Sequence, residues 1–94
     1  MDEKLRQSIE KAAQTLKAFG AREVYVFGSA ATGTLREDSD IDLAVSGLPP
    51  RVFFMAYAQA HDALAGKEMD LVDLDQDSPF VRYLKEEGEL KRVG

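Results

Sequence analysis

Gly28-Ser29, Asp40-Ile41-Asp42 and Asp70 are the residues of this 94-residue chain whose types and spacing could do chemistry. A glycine closing a strand lets the backbone approach a ligand closely, and the serine behind it offers both a hydroxyl and an amide N–H. If a helix starts there, its unpaired N–H groups make a site for an anion. Asp40 and Asp42 enter a strand two residues apart, so their side chains share one face, roughly 6.7 Å apart along the strand. Carboxylates at that separation can flank one hard cation, or bridge a pair of Mg²⁺ ions about 3.5–4 Å apart. Glu37 and Asp38 crowd more negative charge nearby, a repulsion that a cation would relieve. Asp70, in the segment MDLVDL, would be a third carboxylate aimed at the same metals or at a substrate hydroxyl.

Each feature also has a plainer explanation. Gly-Ser is common turn chemistry, an Asp-X-Asp can be a solvated strand end, and Asp70 with Asp73 can guard an edge strand against stray pairing. Spacing changes the balance. Ten residues separate Ser29 from Asp40, which puts an anion-binding turn and a carboxylate pair at one end of adjacent strands. A third strand carboxylate follows after a crossover. A triphosphate needs backbone donors, metals to neutralise its oxygens, and a carboxylate near the attacking hydroxyl. All three occur in that order.

The elements that must position these groups can be read from periodicity. Leu5, Ile9, Ala12, Leu16 and Phe19 recur at helical steps, and Gly20 supplies a stop. Glu23–Phe27 (EVYVF), Ile41–Val45 (IDLAV) and Met69–Leu74 (MDLVDL) read as strands. A brief helix is expected after Gly28. A longer one is expected from Arg51 to Ala65, with Phe53, Tyr57, Ala60 and Leu64 on one face and Gly66 ending it. Ser78 is placed to cap a last helix, with Pro79 in its first turn and an end near Lys85 or Glu86. The expected fold is α/β (α+β), a small mixed sheet of three or more strands with helices packed over it. Residues 1–94 read as a single domain.

Composition removes several classes of function. Twelve basic against 17 acidic residues give a net charge of −5, which argues against direct nucleic-acid binding through a basic face. The absence of cysteine excludes disulfides, thiolate nucleophiles and Cys-type zinc sites. No apolar run approaches the ~20 residues that span a bilayer, and no signal segment is read at the start, so a cytoplasmic, membrane-free protein is expected. The one histidine, His61, lies beside the apolar stripe of the long helix and reads as a boundary residue. Adjacent Phe53 and Phe54 cannot both face one core, which leaves one for a partner surface. Lys85, Lys91 and Arg92 read as a solvent face, and Glu68, Asp70, Asp73, Asp75 and Asp77, with no base between them, could attract a basic partner.

The segment FGSAATGTLREDSDIDLAV resembles the GS-x10-D-x-D motif of the minimal nucleotidyltransferases, a branch of the DNA polymerase beta-like superfamily. With the later DLV strand and the closing helix, the resemblance covers about residues 20 to 90. It implies that Gly28 and Ser29 hold the β- and γ-phosphates of an NTP. It implies that Asp40 and Asp42 ligate two Mg²⁺ ions, and that Asp70 ligates one of them and helps deprotonate the acceptor. The reaction implied is NMP transfer with release of pyrophosphate, ATP being the expected donor. Family members of this size are often antitoxins encoded beside a small helical HEPN-type ribonuclease toxin, and transfer AMP to a tyrosine of that partner. A non-catalytic antitoxin that works by binding, and an enzyme modifying a small hydroxylated molecule, are the alternatives. Ala30 and Thr32 stand where relatives often carry arginines, so Arg36 or a basic residue of a partner would have to supply that charge.

Overall fold

The structure, a computed structural model, describes residues 3–33 and 40–94. Helix α1 (Glu3–Ala18) leads into β1 (Glu23–Phe27), the short α2 (Ser29–Thr32) and β2 (Ile41–Ser46). A single 3₁₀ turn, Pro50–Val52, then opens α3 (Phe53–Ala63), followed by β3 (Met69–Asp73), α4 (Pro79–Glu86) and β4 (Lys91–Arg92). The four strands form one mixed sheet in the order β3-β2-β1-β4. β1 pairs antiparallel with β2 and β4, while β2 and β3, joined through α3, run parallel. The expected α+β class and the mixed sheet are borne out.

Alternation along the strands divides the apolar residues between two layers. Val24, Val26, Ile41, Leu43, Val45 and Met69 face the core shared with α1 and α3. Both helices present alanines there: Ala12 and Ala13 on α1, Ala56 and Ala60 on α3, all fully buried. Such small residues let two helices approach closely. The opposite face of the sheet carries Phe27 and Ala44, closed over by Val81 and Leu84 of α4 together with Leu74. No charged or polar side chain among the described residues is buried in either layer.

Helix ends follow the capping chemistry read from sequence at α4, where Val81 N–H donates to Ser78 Oγ at 3.2 Å and Pro79 sits in the first turn. The long helix differs from expectation at its start. Pro49-Pro50 fixes a 3₁₀ turn over Pro50–Val52, and the α-helix begins only at Phe53. β4 was not expected. Lys91 and Arg92 keep exposed side chains, as read, but their backbone adds an edge to β1, where the chain pairs at Tyr25 and Val26.

Candidate active site

β1 ends at Phe27, whose partner across the antiparallel ladder is Asp42. In the parallel ladder on the other side, Asp42 is opposite Asp70. Two strand residues in register point to the same side of a sheet, so Asp42 and Asp70 stand next to each other. Ile41 and Met69, the flanking pair, point the other way into the core. Burial of these two apolar neighbours therefore fixes the direction of both carboxylates, since a one-residue slip would bury an aspartate.

The pair is electrostatically loaded. Asp42 is half-buried, and its carboxyl is pushed above the usual range, first by burial, then by the charge of Asp70, by hydrogen bonding to Asp70, and by the charge of Asp40. Asp40 is exposed at the entry to β2. The structure thus brings Asp42 and Asp70 together, with Asp40 two residues before Asp42 and acting on it through its charge. Glu37, Asp38 and Arg36 lie outside the described residues.

The turn after β1 closes the other side. Gly28 has φ 64° and ψ −141° and precedes α2, with Ala31 N–H and Thr32 N–H donating to its carbonyl at 3.1 and 3.2 Å. A Cβ at position 28 would lie 2.5 Å from Asp42 Oδ2. Gly28 is therefore required twice, for its left-handed φ and for the carboxylate packed against it. Ser29 starts the short helix, and Ala30 and Ala31 are buried beneath it.

Two hydrogen bonds that the sequence pattern does not encode support this end of the sheet. Tyr57 of α3 donates its hydroxyl to the carbonyl of Met69 at 2.8 Å, holding edge strand β3 one residue before Asp70. Ile41 N–H donates to the carbonyl of Glu68 at 2.9 Å, which locks the start of β2 to the start of β3. A tyrosine on the half-buried side of a helix gives no sequence signal for such a bond. His61 is half-buried, as its boundary position suggested, stacked on Tyr57 with ring centroids 6.1 Å apart and with Nε2 3.9 Å from the Glu68 carboxylate. Two depressions of about 440 Å³ each have none of these aspartates on their lining, and one of them borders α2 at Ala30, Ala31 and Thr32. Asp40 and Asp70 are exposed at this end of the sheet.

A family model described as polymerase beta, nucleotidyltransferase, matches residues 7–90, which takes in the turn, the paired aspartates and all of β3. The chain belongs to the polymerase beta nucleotidyltransferase family. As a nucleotidyltransferase domain it is similar to a protein adenylyltransferase MntA of Thermococcus cleftensis, 41% identical over 56 residues. That match spans 57% of each chain, so the chain covers little more than half of this relative. Among solved structures it is similar to a candidate minimal nucleotidyltransferase, with a TM-score of 0.70, 34% identity and 95% of each chain covered. A crystal structure of a toxin–antitoxin with AMP-PNP matches with a TM-score of 0.66 and 27% identity, over 90% of this chain and 70% of the other. These likenesses bear out the nucleotidyltransferase fold and the family expected from the motif.

Proposed function

We propose that this chain, acting as one nucleotidyltransferase domain over residues 1–94, transfers AMP from ATP to a hydroxyl of a partner protein. We read it as the antitoxin of a toxin–antitoxin pair whose toxin is a small helical protein of the HEPN type. The observation that carries this reading is the register that pairs Asp42 with Asp70 beside Gly28. The name of the adenylyltransferase relative and the toxin–antitoxin structure with AMP-PNP support the choice of donor and of partner.

Gly28 and Ser29 hold the β- and γ-phosphates in this reading, through backbone N–H groups at the start of α2 and the serine hydroxyl. Asp40, Asp42 and Asp70 hold Mg²⁺, two ions in all. The donor set fits that ion: every ligand is a carboxylate oxygen, and the crowding that raises the Asp42 pKa is what a divalent cation relieves. Among the described residues no three His, Asp or Glu side chains form a ready-made cage. Mg²⁺ does not need one, because it uses one or two carboxylates and completes its shell with water and substrate phosphates. When bound, it supplies charge neutralisation at the phosphate oxygens.

The remaining work falls to the chain. The acceptor hydroxyl oxygen attacks the α-phosphorus in line, the bond to the bridging oxygen breaks, and pyrophosphate leaves with that electron pair. Asp70, exposed on the edge strand, takes the hydroxyl proton. The test is label transfer from α-labelled ATP with Mg²⁺ onto the protein encoded by the neighbouring reading frame. Label on the partner with wild type, and at least about 100-fold less with Asp40→Asn/Asp42→Asn, is expected. Silencing of the partner without label from any of the four NTPs would replace transfer by neutralisation through binding alone. Label on a small hydroxylated molecule instead of the protein would replace the acceptor.

A further inference from the structure

Helix α4 covers the sheet face that carries Asp42 and Asp70 further along the strands, and it leaves two aromatic rings outside the core. Phe80 is 52% and Tyr83 54% exposed, and their i,i+3 spacing sets them side by side. Phe80 meets Phe27 edge-on with centroids 6.3 Å apart, and Phe27 is the strand partner of Asp42. Beside them lies a depression of about 380 Å³, walled by Phe27, Gly28, Phe80 and Tyr83, with Glu87 and Glu89 on its lining. No lysine or arginine among the described residues lines it. Neither glutamate is in an ion pair among the described residues.

We infer that this depression is a docking site for a cationic side chain, arginine or lysine, of the protein whose hydroxyl is modified; the inference rests on the protein-acceptor reading above. Exposed aromatic faces attract a cation through the ring quadrupole. Two carboxylates on the lining add to that attraction. Gly28 belongs both to the wall of the depression and to the turn packed against Asp42. A partner segment anchored there is thereby held against the carboxylate pair, and its neighbouring hydroxyl is brought to Asp70.

The experiment is a titration of the full chain, without nucleotide, with the capped peptide Arg-Arg-Tyr-Gly, followed by amide and aromatic NMR signals. Shifts at Phe80, Tyr83 and Glu87 are expected. They should weaken about three- to tenfold in Glu87→Gln/Glu89→Gln and fall as salt is raised. A Glu-Glu-Tyr-Gly peptide should leave the same signals in place, and Tyr83→Leu should weaken the arginine peptide while keeping the fold. Unmoved signals at millimolar peptide would overturn the inference, as would equal binding to the Gln variant. So would displacement of the peptide from these rings by Mg²⁺ and AMP-PNP, which would make the depression a nucleobase shelf. Binding is read here without turnover, so a failure of label transfer counts against the transferase reading alone.

Discussion

Asp42 is the residue on which the site turns, and its chemistry makes a prediction that runs against ordinary expectation for a surface aspartate. The folded chain holds the Asp42 proton more tightly than the unfolded chain does, because burial and two neighbouring aspartates oppose its charge. The contribution of Asp42 to stability in metal-free buffer is therefore most favourable at low pH, and should decline as pH rises from the ordinary carboxylate range through the elevated Asp42 value. Other carboxylates, such as Glu3 held low by Arg6, act in the opposite sense, so the difference between wild type and Asp42→Asn is what isolates this effect. With EDTA at pH 7, Asp42→Asn should melt higher than wild type, because the amide removes the charge that burial and the neighbouring aspartates oppose. A lower melting temperature for the variant would show that Asp42 is stabilised by something other than a bound cation.

Gly28 makes the complementary case. Gly28→Ala places a methyl group against Asp42 Oδ2 at a backbone angle that L residues rarely adopt, and should cost roughly 1–3 kcal/mol in urea unfolding. Both residues were legible in the sequence, because Gly-Ser and Asp-X-Asp at ten-residue spacing is an uncommon combination. Their mutual contact was not, since the register of β1 on β2 is set by distant packing.

Among the elements, β3 shows why one part of a site can be read and another cannot. The alternation in MDLVDL gave Asp70 its face, and Met69 buried opposite Ile41 confirms it. The bond from Tyr57 to the carbonyl of Met69 comes from the fold of α3 over the sheet, which no local pattern encodes. Tyr57→Phe should cost about 0.5–1.5 kcal/mol, and the amides around Asp70 should exchange faster than those of β1. Equal exchange in both strands would mean that β3 needs no such tether. α4 was legible for a different reason, namely that its start is written in local chemistry. Ser78→Ala should cost about 1 kcal/mol of stability. β4 carries no apolar pattern in its two charged residues, and its pairing with β1 rests on backbone bonds joined by an ion pair between Arg92 and Glu23 at 3.7 Å.

For the whole molecule, a small chain has arranged its charges unevenly. Both apolar layers exclude charge among the described residues, and the aspartates of the site lie where β1 ends and β2 and β3 begin. No helix among the described residues is long and apolar enough to cross a membrane. The class of fold was legible from the order of elements, and the family from one motif. The proposed docking face was not, because α4 sets its two exposed rings among charged neighbours, and the packing of Phe80 on Phe27 is what relates them to the site.

The central claim, that Asp42 and Asp70 together hold a metal-bound nucleotide, is tested most directly by thermal unfolding with AMP-PNP, with and without Mg²⁺. Wild type should gain stability only when both are present, by about 2.7 kcal/mol at a ligand concentration 100 times its Kd. Asp42→Asn/Asp70→Asn should show no gain over its own metal-free melting temperature. An undiminished gain in the double variant, or an equal gain in wild type without Mg²⁺, would contradict the assignment of these two carboxylates to the nucleotide site.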